Sequence, residues 1–127
     1  MSCLFNSFAK YFAKIGKPEF TSFSIRTLIC DYLDKDPILL SGKKFSEIIL
    51  TKKEDYITQM RITSTWGSAI EIRAACNIFR IIIIVKVISS GREIEFLPSK
   101  CNENCCVYSR LIITWSGSHY EYFDYIE

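Results

Sequence analysis

The chain has 127 residues, of which 49% are hydrophobic and 24% charged, and its net charge is +2. This length fits one domain, 1–127, which can bury a core without disulfides or metals. Basic and acidic residues are interspersed, so neither a nucleic-acid-binding surface nor a polybasic membrane patch is indicated. The longest apolar run, 81–85, is far shorter than the roughly 20 residues of a membrane-spanning helix. We therefore expect a globular domain whose partner is neither nucleic acid nor a membrane.

Helical periodicity dominates the first part of the chain. Apolar residues three and four positions apart predict a first helix over 3–15, which stops at Gly16. A second helix is predicted over 22–33. Shorter helices are expected around 45–49 and after Thr51, which has capping-box spacing to the acid three residues on. The predicted inward-facing residues are Leu4, Phe5, Phe8, Phe12 and Ile15 in the first helix and Ile25, Leu28, Ile29 and Tyr32 in the second.

The pattern changes near residue 80. A fifth helix is predicted to follow Trp66 and Gly67, where Ser68 and Glu71 have capping-box spacing. Beyond it, a β-branched run and later short apolar segments predict strands. Because helices come first and strands last, the sequence favours an α+β domain with helices packed on a small, mostly antiparallel sheet. The predicted strands cover 81–88, 93–97, 111–115 and 120–123, and a polar loop is predicted over 99–109.

Cys3 and His119 are the candidate catalytic pair. A thiol at the start of a helix lies near the positive end of the helix dipole, which favours the thiolate. A nearby imidazole would complete an activated nucleophile, and His119 is the single histidine of the chain. The last predicted hairpin would return His119 to the first helix. The pattern alone leaves open that His119 is an ordinary surface residue and that Cys3 has no catalytic role.

The other five cysteines have different predicted surroundings. Cys30 and Cys76 lie in apolar helical patterns and are predicted to be buried. Cys101, Cys105 and Cys106 lie in the polar loop without a nearby histidine or the paired spacing of zinc ligands, so we expect no metal and no cofactor. The start of the chain lacks the basic and then apolar pattern of a signal peptide. A reducing, cytoplasmic setting is therefore expected.

Three segments together resemble the ovarian-tumour (OTU) family of cysteine deubiquitinases. Cys-Leu-Phe-Asn-Ser-Phe at 3–8 is similar to the segment that carries the family's nucleophile. Trp-Gly-Ser-Ala-Ile-Glu-Ile-Arg-Ala at 66–74 is similar to a second family motif, and His-Tyr-Glu at 119–121 to the family's His-Tyr-Asp or His-Tyr-Asn. Arg26 and the segment 29–33 also fit the family's second helix. The order and separations match, so the resemblance covers essentially the whole chain as a single OTU-like cysteine protease domain.

The resemblance implies a thiol protease, a hydrolase acting at the C-terminus of ubiquitin or a ubiquitin-like modifier, expected to be a monomer without a cofactor. Cys3 would be the attacking thiolate, His119 the general base and later acid, and Glu121 the residue that orients the imidazole. The backbone amides of Ser2 and Cys3 would help to form the oxyanion hole. The residues expected to flank the channel for the ubiquitin tail are Trp66, Gly67, Trp115 and Ser118, and a packing role is as compatible with the first two.

Two departures from the family pattern bear on activity. The family's nucleophile is preceded by Asp-Gly-x, whereas this chain has Met1 and Ser2, so the domain is expected to lack the family's usual N-terminal residues. Loss of one oxyanion donor costs about a hundredfold in rate or more. Glu121 is one methylene longer than the family's Asp, and Asp124 stays open as the residue that orients His119. The alternative function is therefore a ubiquitin-binding module with this fold and impaired catalysis.

Overall fold

The computed structural model describes residues 2–99 and 109–127. The loop predicted to carry Cys101, Cys105 and Cys106 lies outside these residues. Among the described helices, none is long and apolar enough to cross a membrane. The described elements are α1 (Cys3–Lys14), α2 (Ser22–Asp34), β1 (Ile38–Leu40), β2 (Lys43–Lys44), α3 (Phe45–Ile48), α4 (Lys53–Met60), α5 (Ala69–Phe79), β3 (Ile82–Val87), β4 (Glu93–Phe96), β5 (Arg110–Trp115) and β6 (Tyr120–Ile126).

Helix α1 confirms the first predicted helix. Its apolar residues repeat at helical spacing, which buries one face in the core. The helix ends at Lys14 with Ile15 as its C-cap residue, and Gly16 adopts a left-handed φ of 85°, which a residue without a Cβ accepts at little steric cost. The buried apolar residues of this face are Leu4, Phe5, Phe8, Tyr11 and Phe12.

Side-chain caps define the starts of two further helices. Thr21 accepts a hydrogen bond from the Ser24 N–H (3.1 Å) at the start of α2. Ser68 accepts one from the Ile70 N–H (3.3 Å) at the start of α5, which confirms the predicted capping position. The cap predicted at Thr51 is wrong, because α4 begins one residue later than that cap requires and Lys52 occupies its N-cap position.

The buried face of α2 differs from the predicted one. Ile25 and Ile29 are fully buried as expected, but Leu28 is 38% exposed. Arg26 faces the core in its place, beside Cys30, which is buried as predicted. The periodicity of apolar residues misplaced this face because it counts a charged residue as outward-facing, whereas Arg26 has hydrogen-bond partners in the interior.

The main sheet has the strand order β4–β3–β5–β6. Strands β3 and β4 are antiparallel, as are β5 and β6, which confirms the two predicted hairpins. Strands β3 and β5 are parallel, with Ile83 opposite Leu111, so the sheet is mixed. A two-stranded hairpin of β1 and β2 was not predicted; it turns at Ser41 and Gly42, both with positive φ.

Helix α1 lies along the last strand of this sheet. The Tyr11 ring packs edge-on against Tyr125 near the end of β6, with 5.9 Å between centroids, and its hydroxyl hydrogen-bonds to Ser109. At the other end of the helix, Cys3 shares a cleft with His119, which immediately precedes β6. The helix and the strand therefore run in the same direction, and their packing brings the two ends of the chain together.

Candidate active site

The candidate site is a cleft of about 300 Å³ between the first turns of α1 and the start of β6. It brings together the predicted catalytic residues Cys3, His119 and Glu121. Asn6 and Lys10 were not predicted, although their spacing from Cys3 places them on the same face of one helix. The lining residues are Cys3, Asn6, Ser7, Ala9, Lys10, His119, Tyr120 and Glu121.

Cys3 is the first residue of α1 and is partly exposed. The first backbone hydrogen bond of the helix runs from the Asn6 N–H to the Ser2 carbonyl (2.7 Å). The Ser7 hydroxyl donates to the Cys3 carbonyl (2.8 Å), which links the first and second turns of the helix. No acidic side chain lies in this turn, so the positive end of the helix dipole is not neutralised beside the thiol.

His119 is presented by the turn between β5 and β6. The Ser116 N–H donates to the His119 carbonyl (3.0 Å) and closes the turn. The imidazole is 53% exposed, and its Nε2 lies 3.4 Å from Oε1 of Glu121, two residues along the strand. Asp124 instead accepts a hydrogen bond from the Tyr125 N–H (2.8 Å) and pairs across the sheet with Ile112. The geometry thus places Glu121, rather than Asp124, in position to orient the ring.

Tyr120, which lies between His119 and Glu121 in the sequence, forms one wall of the cleft. Its ring stacks on Trp115 across the hairpin, with 4.4 Å between centroids. Burial, followed by the negative charges of Cys3 and Glu71, raises the pKa of Tyr120 above its ordinary value, so the phenol stays neutral. This wall is therefore aromatic and uncharged, next to the thiol.

The four residues predicted to flank a substrate channel do not line this cleft as the structure describes it. Trp66 is 47% exposed. Trp115 packs against Tyr120, which lines the cleft. Ser118 is exposed in the turn before His119. Gly67 lies against the first turn of α1, where an added Cβ would come within 2.5 Å of Leu4 Cδ2 and 3.3 Å of Phe5 Cε2. The close approach of backbone to α1 at this point requires glycine.

Glu71 holds the segment that carries Gly67. Its carboxylate is fully buried and accepts hydrogen bonds from the Ser68 N–H (2.7 Å), the Ser68 hydroxyl (2.7 Å) and the Tyr56 hydroxyl (2.6 Å). Burial outweighs these hydrogen bonds and raises the pKa of Glu71 above its ordinary value. The glutamate of the 66–74 motif is therefore a capping residue of α5, and it fixes the segment whose Gly67 packs against α1.

The buried Glu71 makes a pH-dependent contribution to stability. Its raised pKa means that the folded state holds the proton more tightly than the unfolded chain. The contribution is complete below the ordinary value of 4.5 and decreases as pH rises toward the folded-state pKa. Replacing Glu71 by glutamine removes this dependence. We expect the free energy of unfolding of the native chain to fall relative to Glu71→Gln from about pH 4.5 upward. Denaturant titrations of both proteins over pH 4–8 check this, and a native chain that gains stability relative to Glu71→Gln as pH rises would contradict it.

The described cysteines differ sharply in accessibility. Cys30 and Cys76 are fully buried, as predicted, and burial raises their pKa values to about 11 and about 12. Cys3 is the partly exposed thiol among the three. Within 2–99 and 109–127, no group of His, Cys, Asp and Glu side chains is arranged to hold a metal.

Comparison with known proteins identifies the family. Residues 2–122 match the family model of the OTU-like cysteine proteases. The chain belongs to this family. Ubiquitin thioesterase OTU1 of Mus musculus is 32% identical to this OTU domain over 98 residues, which are 76% of the chain and 26% of that protein. The chain thus spans about a quarter of the length of that curated relative.

Solved structures confirm the predicted α+β OTU fold. An ovarian-tumour domain in complex with ubiquitin superimposes with a TM-score of 0.73 at 22% identity, covering 95% of this chain and 62% of that one. An OTU deubiquitinase from Wolbachia pipientis wMel bound to ubiquitin superimposes with a TM-score of 0.66 at 18% identity, covering 95% and 88%. At these identities the likeness concerns the fold.

Proposed function

We propose that this OTU domain is a cysteine-dependent deubiquitinase that hydrolyses peptide or isopeptide bonds at the C-terminus of ubiquitin or a ubiquitin-like modifier. The observation that carries the proposal is the shared cleft of Cys3 with the His119–Glu121 pair. A relative named as a ubiquitin thioesterase and two ubiquitin-bound neighbours of the same fold support ubiquitin as the substrate class. A cytoplasmic, monomeric protein is part of the same proposal.

In the proposed reaction, the Cys3 thiolate attacks the carbonyl carbon of the C-terminal residue of ubiquitin. Glu121 contacts Nε2 of His119, so Nδ1 is the ring nitrogen that takes the thiol proton and later gives it to the leaving amine. The amine departs and a thioester to Cys3 remains. Water, activated by His119, then attacks the thioester, which releases the ubiquitin carboxylate and restores the thiol.

The developing oxyanion would be stabilised at the start of α1. The backbone amides of Ser2 and Cys3 are the donors that we propose for this role. Ser2 itself leads into the helix, and its hydroxyl donates to the Thr63 carbonyl (2.9 Å) instead of capping the first turn. The amides of the first turn therefore lack a side-chain cap. They lie at the N-terminal end of the helix, where a negative charge is favoured.

Hydrolysis of a ubiquitin substrate tests this proposal directly. Ubiquitin with a fluorogenic amide at its C-terminus is incubated with the native chain, with Cys3→Ala and with Cys30→Ala. We expect turnover by the native chain, a loss of about 10⁴-fold or more in Cys3→Ala, and retention in Cys30→Ala, whose thiol is buried away from the cleft. Saturable ubiquitin binding without turnover in all three folded proteins would instead support the binding module.

A further inference from the structure

Arg26 is a buried cation held almost entirely by backbone carbonyls. It lies in α2 and is 2% exposed. Its Nη1 donates to the Met60 carbonyl (2.7 Å), and its Nη2 donates to the carbonyls of Thr63 (3.2 Å) and Thr65 (2.9 Å). The guanidinium thus organises the segment between α4 and the Trp66–Gly67 motif.

The same guanidinium reaches the residue directly before the nucleophile. Nη2 of Arg26 also donates to the Ser2 hydroxyl (3.1 Å), and that hydroxyl donates in turn to the Thr63 carbonyl (2.9 Å). The guanidinium carbon lies 4.1 Å from the centre of the Phe5 ring, which is in the first turn of α1. Arg26 therefore contacts the chain on both sides of Cys3.

These contacts account for an unusual feature of α1. A serine in the N-cap position ordinarily accepts a hydrogen bond from the second or third amide of its helix. Thr21 and Ser68 do so in α2 and α5. Ser2 is the N-cap residue of α1, yet it makes no such bond and its φ and ψ of −104° and 27° lie outside the extended region of the other two. The hydroxyl that would cap α1 is held by Arg26 and Thr63.

We propose that Arg26 is a positioning residue that draws the Ser2 hydroxyl away from α1 and so leaves the first-turn amides uncapped beside the Cys3 thiolate. This role rests on the proposed function, in which Cys3 is the nucleophile. Arg26 touches no substrate atom in this account. It acts through Ser2, because it sets the direction in which the Ser2 hydroxyl points, and through the backbone carbonyls that it binds.

The test measures alkylation of Cys3 by iodoacetamide between pH 5.5 and 9.5, located by peptide mass spectrometry. In Arg26→Gln, Ser2 is released and can cap α1. We expect the alkylation rate of Cys3 at pH 7 to fall by about two- to fivefold, with the pH profile displaced to higher pH. An unchanged rate and profile in the folded variant would overturn the proposal.

A double variant separates positioning from a general loss of structure. Arg26→Gln also deprives the carbonyls of Met60, Thr63 and Thr65 of a donor, and that loss remains whatever residue occupies position 2. Adding Ser2→Ala removes the capping hydroxyl. The Arg26→Gln, Ser2→Ala protein is therefore expected to regain at least half of the native alkylation rate. A double variant as slow as Arg26→Gln alone would show a purely structural role and overturn the proposal.

Ser2→Ala with Arg26 retained keeps the proposal testable if Arg26→Gln does not fold. A hydroxyl that is already held away from α1 leaves the alkylation rate of Cys3 within about twofold when it is removed. An acceleration of about fivefold, as expected if the hydroxyl capped the first turn, would overturn the proposal. Because alkylation needs no ubiquitin, these results stand apart from the hydrolysis assay: absence of ubiquitin turnover defeats the proposed function, and the alkylation series decides the role of Arg26.

Discussion

Replacing His119 by alanine is expected to reduce the turnover of a ubiquitin C-terminal amide by about 10²- to 10⁴-fold. His119 is the single imidazole of the chain, and it shares the cleft with Cys3. Without it, the cleft loses the group proposed to accept the thiol proton and return it to the leaving amine. Steady-state kinetics of the native chain and His119→Ala measure the effect, with circular dichroism to establish that both are folded. Retention of more than a tenth of native turnover would show that His119 is not the base.

The matched comparison is Glu121→Gln, which keeps the size of the side chain and removes its charge. Glu121 is 67% exposed and lies 3.4 Å from the imidazole, longer than a strong charge-assisted hydrogen bond. An ion pair this exposed to solvent contributes little, so we expect a decrease of about fivefold. The large effect of His119→Ala beside a small effect of Glu121→Gln would assign proton transfer to the imidazole and only orientation to the carboxylate.

Gly67→Ala is expected to destabilise the domain by about 1–3 kcal/mol and to lower turnover as well. The new methyl group would lie 2.5 Å from Leu4 Cδ2, closer than such atoms approach, and a tight 3.2 Å from Leu4 Cβ. Leu4 is fully buried and adjoins Cys3, so a displacement of its side chain disturbs the packing beside the first turn of α1. Chemical denaturation gives the loss in unfolding free energy, and kcat of the folded protein reports the displacement of the thiol.

Relief of the clash provides the control for this prediction. Leu4→Val shortens the side chain that the new methyl group meets, at a cost of its own. In the double variant Gly67→Ala, Leu4→Val, the two losses are expected to be less than additive, because both act on one contact. Strictly additive losses, or a Gly67→Ala protein as stable and active as the native chain, would contradict a close approach of Gly67 to α1.

Local patterns in the sequence were sufficient for the elements that flank the site. The apolar spacing of α1 predicted a helix that begins at Cys3, and the spacing of Ser68 and Glu71 predicted the cap of α5. The β-branched run from residue 81 predicted β3 and its hairpin partner. Each of these signals lies within a dozen residues, where periodicity and capping chemistry act.

The features that complete the site depend on contacts between distant segments. In the sequence, Arg26 is a charged residue that interrupts an apolar pattern. The carbonyls that bind it lie in a segment more than 30 residues away. The role of Gly67 depends on the position of Leu4, which no local pattern contains. The parallel pairing of β3 with β5 joins strands from separate hairpins, so neither turn predicts it. Family resemblance placed these residues in motifs, and packing explains why the residue types are needed.

Labelling with a ubiquitin probe that carries an electrophile at its C-terminus tests the central claim most directly. The native chain and Cys3→Ala are treated with the probe, and the modified residue is located by peptide mass spectrometry. We predict one covalent adduct on Cys3 of the native chain and none on Cys3→Ala, because the ubiquitin moiety directs the electrophile to the cleft. Among the described cysteines, Cys3 is the partly exposed one, and Cys30 and Cys76 are fully buried. A folded native chain that forms no adduct, or an adduct that persists in Cys3→Ala, would contradict the assignment of Cys3 as the nucleophile of a ubiquitin hydrolase.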